Sequence, residues 1–288
     1  MLDNFSRRHF LKFAAAGMAL TATPLFAAGK KRPRIGVQLY SVRGLCNRDL
    51  IGTLTAMKKM GYEGVEFAGY YGKSAKQLRK ILDDCGLVAC GTHTGYGTIL
   101  PRNINRTIDF AAEVGNRYLM VPGMGPGRGF KGSVGDWWKQ AGEVFSVAAE
   151  TAKKAGMYVG YHNHQHEFRE KCRDYGNRCK YDIFWSNTSK EVSMQMDVGH
   201  VVSAGEDPIY WLKKFPNPCK TIHAKEIYPG PGILGKVPAG KKGVDWDALF
   251  PVVEGKGLDW YIVETEANPN TLKNVEGCIA FMKAKGRA

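Results

Sequence analysis

The chain has 288 residues, 44% hydrophobic and 24% charged, with 11% aromatics and 35 glycines spread along its length. That composition excludes intrinsic disorder and the collagen-like, coiled-coil and low-complexity classes, and it suffices for one barrel-sized domain. The formal charge of +14 raises the question of nucleic acid. Yet Lys and Arg are scattered, with no arginine-rich arm and no interleaved aromatics, so the expectation is no nucleic-acid partner.

The N-terminus reads as a leader. Ser6-Arg7-Arg8-His9-Phe10-Leu11-Lys12 precedes a moderately apolar, alanine-rich stretch that ends near Ala27-Ala28. This is the pattern of a twin-arginine (Tat) export signal, expected to occupy residues 1–28 and to leave a domain over 29–288. Three basic residues and one acidic residue fall in the leader, so the remainder carries +12. Once the leader is cleaved, no segment remains that is long and apolar enough to insert stably in a bilayer. Tat substrates cross the membrane folded, which suits a protein that acquires a metal before export.

After the leader, short β-rich runs alternate with longer amphipathic ones. Strands are expected at 35–40, 64–67, 88–93, 118–121, 158–162, 193–197, 221–225 and 260–265. Helices are expected at 50–60, 75–85, 104–114, 134–155, 208–214, 246–255 and 271–283. Eight strand-helix units in about 260 residues point to a single-domain (β/α)8 TIM barrel, with an open doubly wound sheet as the alternative. The Gly- and Pro-rich stretch from Tyr228 to Gly243 reads as a long loop after the seventh strand, either a lid over the mouth or a surface loop. The glycine-rich loop at 123–129 reads as pocket-lining, and no Walker or dinucleotide fingerprint follows any strand. Seven cysteines include no CxxC pair; Cys172 and Cys179 could close a short loop in an oxidising compartment.

Barrel chemistry is carried at the C-terminal strand ends. Here strand five ends Tyr161-His162-Asn163-His164-Gln165-His166-Glu167, strand six Met196-Asp197-Val198-Gly199-His200, strand seven His223-Ala224-Lys225-Glu226 and strand eight Val263-Glu264-Thr265-Glu266. Alternation puts Asp197 with Gln195 and Ser193, His223 with Lys225 and Thr221, and Glu264 with Ile262 and Glu266. Carboxylates and imidazoles without a thiolate suit one divalent cation, Mn²⁺ in the first place and Mg²⁺, Co²⁺ or Zn²⁺ otherwise.

These residues, with Gly36-Val37-Gln38-Leu39-Tyr40-Ser41, Gly61-Tyr62-Glu63-Gly64-Val65-Glu66 and Gly243-Val244-Asp245-Trp246, resemble the xylose isomerase-like TIM-barrel superfamily. That group of sugar phosphate isomerases/epimerases also includes inosose dehydratases, ketose epimerases and endonuclease IV. The resemblance implies a cation held by Glu, Asp, His and Glu from strands five to eight. The last three fall on Asp197, His223 and Glu264; for strand five the expected ligand is Glu167, with His162 as its rival.

With Glu167 opposite Glu264, the resemblance implies isomerisation or epimerisation through an enediolate. With His162 or His164 in its place, it implies dehydration or β-elimination from a keto-sugar or keto-cyclitol. His200 and Lys225 are expected to bind substrate oxygens. Glu66 and His93 either close the other side of the pocket or are buried structural polar groups. Export favours a non-phosphorylated carbohydrate substrate. A DNA-repair nuclease needs further His ligands, and a non-catalytic sugar-binding barrel has no use for intact ligand positions.

Overall fold

The structure, a computed structural model, describes residues 32–226, 233–237, 240, 242–266 and 271–288. The leader and half of the loop expected after strand seven lie outside the described residues. Eight parallel strands form the sheet: β1 Arg34–Gln38, β2 Gly64–Phe67, β3 Val88–His93, β4 Tyr118–Val121, β5 Tyr158–His162, β6 Ser193–Gln195, β7 Thr221–Ala224 and β8 Trp260–Val263. Neighbours in sequence pair from β1 through β6, β7 pairs with β8, and β8 pairs with β1. The pairing of first and last strands rules out the doubly wound sheet. The remaining seam, between β6 and β7, is held by a parallel bridge from Asp197 to His223 and by the His223 amide donating to the Met196 carbonyl at 2.9 Å.

The helices α1 Leu50–Met60, α2 Ala75–Cys85, α3 Ile104–Val114, α4 Val134–Lys154, α5 Lys180–Ser186, α6 Val198–Ser203, α7 Pro208–Lys214, α8 Trp246–Gly255 and α9 Thr271–Ala284 surround the sheet. Local chemistry sets their ends. Ser74 with Gln77, and Ser133 with Asp136, form reciprocal capping boxes that start α2 and α4. Gly61, at φ +106°, ends α1 in a left-handed conformation open to glycine.

Four strands end earlier than their sequence pattern predicts, and one reason is visible at β6. Asp197 accepts the His200 amide at 2.9 Å and so starts α6 instead of prolonging the strand. The sequence pattern also missed α5 and a short antiparallel ribbon that pairs Lys171 with Cys179 and Cys172 with Arg178. In that register Cys172 and Cys179 point to opposite faces, so the anticipated bridge does not form, and all seven cysteines are free thiols.

The lumen is layered. Its lower end is plugged by Cys90, Tyr118, Met120, Trp260 and Ile262. Gly64 makes room for that plug, since a Cβ there would stand 2.9 Å from the Trp260 ring. Above it comes a buried polar layer of Gln38, Glu66, Gln195, Thr221 and His223. Between sheet and helices, Tyr161 packs its ring against Trp138, Phe145 and Phe184 at 5.8, 6.0 and 5.0 Å. Burying each such aromatic contributes about 1.5–3 kcal/mol. A polar layer on an apolar plug leaves the chemistry at the C-terminal mouth.

Candidate metal centre and substrate pocket

Four consecutive strand ends converge at the mouth. One donor atom each from His162, Asp197, His223 and Glu264 lies within 4.8 Å of the other three, and all four side chains are buried. Strand geometry explains the convergence: His162 closes β5 with Tyr158 and Gly160 on the inward parity, while Asp197, His223 and Glu264 extend the inward rows of β6, β7 and β8. Asn163 clamps the first pair. Its amide donates to the Asp197 carbonyl at 3.2 Å, and its side-chain oxygen accepts the Asp197 amide at 3.1 Å.

Two atoms of the cluster, His162 Nδ1 and Asp197 Oδ2, are buried without a hydrogen-bond partner. Unpaired buried polar atoms are costly, and two imidazoles with two carboxylates form a donor set that suits a divalent cation. A second grouping, His93 with His162 and His223, shares two of the same residues.

The local electrostatics follow from burial and one ammonium. Burial holds His162 well below the ordinary histidine range, and the neighbouring imidazoles add to that. Burial pushes Asp197 up to about 6, although Lys225 pulls against it. Glu264 would also rise on burial, but Lys225 and His223 hold it well below the usual carboxylate range. Burial would likewise depress His223; Glu66 and Glu264, flanking its two nitrogens, instead raise it to about 10. Lys225 lies 3.2 Å from Glu264 Oε1, 2.9 Å from Glu266 Oε1 and 3.5 Å from His200 Nε2.

A cavity of about 590 Å³ opens above this cluster, lined among others by Tyr40, His93, Gly123, His162, His164, His200, Lys225 and Glu264. His164 and His200 stand 4.7 Å apart between ring centroids. Burial, reinforced by Lys225, pushes His164 down to about 4 and His200 well below its usual value, so both are neutral near pH 7.

Glu167 is not brought into the cluster. It lies in the short helical turn His166–Arg169, where its carboxylate accepts the hydroxyl of Tyr161 and, at 2.9 Å, the amide of His164. Tyr161 has the outward parity of β5, so Glu167 is anchored in the layer between barrel and helices, away from the mouth. His162 occupies the strand-five place in the cluster, and Glu167, expected there, does not.

The structure divides Glu66 and His93 between the two alternatives. Glu66 is fully buried beneath the cluster and absent from the cavity lining, whereas His93 does reach the cavity. His93 owes its position to a bulge: β3 slips by one residue against β2 between Val65 and Glu66, so Cys90 and His93, of opposite parity, both face inward. Gln38 and Asn163 were not expected at the site, although Gln38 stands on the inward parity of β1 one strand from Glu66; Glu266, which alternation puts on the face of Glu264, does line the cavity.

A twin-arginine signal profile matches residues 4–24, and the signal directs Tat-dependent export to the periplasm. No helix among the described residues is long and apolar enough to cross a membrane. An inosose dehydratase of Clostridium beijerinckii is 23% identical over 253 residues, covering 75% of this chain and 82% of that protein. The solved structure of a sugar phosphate isomerase/epimerase from Parabacteroides distasonis superposes with a TM-score of 0.73 at 24% identity, over 90% of this chain and 98% of that one. The structure of the IOLI protein with a zinc atom superposes with a TM-score of 0.59 at 15% identity, over 88% and 96% of the two chains. The profile described as xylose isomerase-like TIM barrel matches residues 54–285, and the chain belongs to that family of enzymes.

Proposed function

We propose that this exported protein is a metal-dependent lyase that removes the proton beside the carbonyl of a non-phosphorylated keto-sugar, keto-glycoside or keto-cyclitol and expels the oxygen substituent β to it. One observation carries the reading: strand five contributes His162 to the cluster, while Glu167 is held elsewhere by Tyr161 and His164. Among the described residues, strand five therefore sets no carboxylate opposite Glu264, as a two-faced proton transfer through an enediolate requires; Glu266, which also lines the cavity, follows Glu264 on the same side of the mouth. The curated relative of C. beijerinckii, named an inosose dehydratase, fits the same class.

His162, Asp197, His223 and Glu264 would hold the cation, which supplies Lewis-acid polarisation of the substrate carbonyl. Two imidazoles among four donors favour Zn²⁺ or Co²⁺ over the Mn²⁺ expected from the sequence. Glu264, which lines the cavity, takes the proton from carbon. The Lys225 ammonium stabilises the charge developing on the carbonyl oxygen. Lys225 also lies between Glu264 Oε1 and His200 Nε2, so a proton accepted by Glu264 has a path through Lys225 and His200 to the departing oxygen. The C–H and C–O bonds break, a C=C bond forms, and the leaving group departs as water or an alcohol. His93 and His164 bound the substrate on either side.

The test is mass spectrometry of free ketoses, keto-glycosides and inososes incubated in D₂O with the metal-loaded protein. Loss of water or of an alcohol from one substrate class is expected, and Asp197→Ala should lower kcat/KM by more than about 100-fold. After chelation, Zn²⁺ or Co²⁺ should restore more turnover than Mg²⁺. Deuterium gained at unchanged formula, with no elimination product, would replace this reading with an isomerase or epimerase.

A further inference from the structure

The lowest carboxylate of the polar layer lies outside the donor cluster and outside the cavity. Glu66 Oε2 lies 2.6 Å from His223 Nε2 and accepts the Gln38 amide at 2.7 Å; its Oε1 accepts the Gln195 amide at 2.7 Å. Gln195 is fixed in turn by Thr221 Oγ1 at 2.9 Å and by His93 Nε2 at 3.0 Å from its own oxygen. The other nitrogen of His223, Nδ1, faces Glu264 Oε2 at 2.7 Å. His223 is therefore gripped at both edges, by a cluster carboxylate on one side and by a carboxylate set in its own frame of amides on the other.

An imidazole that gives one nitrogen to a cation carries its proton on the other, and the acceptor of that proton fixes tautomer and ring orientation. We propose that Glu66 is a positioning residue for the metal centre: by accepting the Nε2–H of His223 it leaves Nδ1 as the donor nitrogen and holds the ring toward Asp197 and Glu264. The inference rests on the metal-centre reading above. Burying an ionised carboxylate costs several kcal/mol unless donors surround it. The two amides and two imidazoles around Glu66 meet that condition. The amides of Gln38 and Gln195 also keep its oxygens from rotating away from His223.

The full-length chain is titrated with Co²⁺ alone, following both affinity and the visible absorption of the bound ion, for wild type, Asp197→Ala, Glu66→Gln and Glu66→Ala. Glu66→Gln places an amide NH₂ among groups that already donate, so Co²⁺ affinity should fall about tenfold. Glu66→Ala should fall toward 100-fold, with an altered absorption band in both variants. Glu66→Gln is isosteric and decides the matter if the alanine variant does not fold. A purely structural role would lower the melting temperature yet leave the affinity and spectrum of folded Glu66→Gln as in wild type, and that result overturns the inference. Co²⁺ binding insensitive to Asp197→Ala would instead remove the metal-centre reading on which it depends.

Discussion

Glu167 enters the folded state carrying a proton over a range where an unfolded chain has lost it. Burial raises its carboxyl to about 7, despite the bonds from the Tyr161 hydroxyl and the His164 amide that favour the ionised form. Between about pH 4.5 and 7 the native state binds the extra proton, so stability falls as pH rises through that window, by up to about 3 kcal/mol. Glu167→Gln keeps the shape without the ionisation. Urea unfolding at pH 5 and pH 8 should show wild type losing more stability than the variant; parallel losses would contradict the assignment. The same residue marks what alternation can and cannot read. Parity along a strand placed Asp197, His223 and Glu264 toward the lumen, and His162 joins them from the end of β5. Glu167 lies past the end of β5, where a helical turn sends its side chain outward to Tyr161, and no pattern in the sequence encodes that turn.

Elements whose ends carry their own chemistry were legible, and those shaped by their neighbours were not. Capping serines and left-handed glycines delimit α1 to α4, which is why the sequence placed them within a residue of their structural bounds. By contrast α5 is only seven residues long and buries Tyr181, Asp182, Ile183, Phe184 and Trp185 in succession, so it shows no amphipathic period. Its place is made by α4. A Cβ on Gly142 would stand 2.9 Å from the carbonyl oxygens of Phe184 and Asn187, both backbone atoms that cannot rotate aside. Gly142→Ala should therefore destabilise the fold by about 1–3 kcal/mol, against the small gain that alanine gives a helix interior, as measured by the urea midpoint. The β3 bulge is the other hidden element. It depends on pairing with β2, and without it His93 would face the helices.

For the molecule as a whole, sustained strand-helix alternation predicted the barrel, and the pairing of β1 with β8 distinguishes it from an open sheet. The address was equally local, written in Arg7 and Arg8. Replacing both with lysine should leave the protein in the cytoplasm, shown by fractionation; an unchanged periplasmic yield would refute the assigned route. Six of the seven free thiols are buried, and Cys172 and Cys179 stand back to back on their ribbon. Burial pushes several of them well above their ordinary range, Cys219 and Cys278 to about 12, so these buried sulfurs carry little thiolate in the folded chain. In an oxidising compartment the fold is thus the shield for its own sulfur. An opening that exposes these groups lets oxidants or mispairing turn a reversible excursion into a permanent one. The working lifetime of the exported protein is then set by how rarely it opens, a rate and not an equilibrium constant.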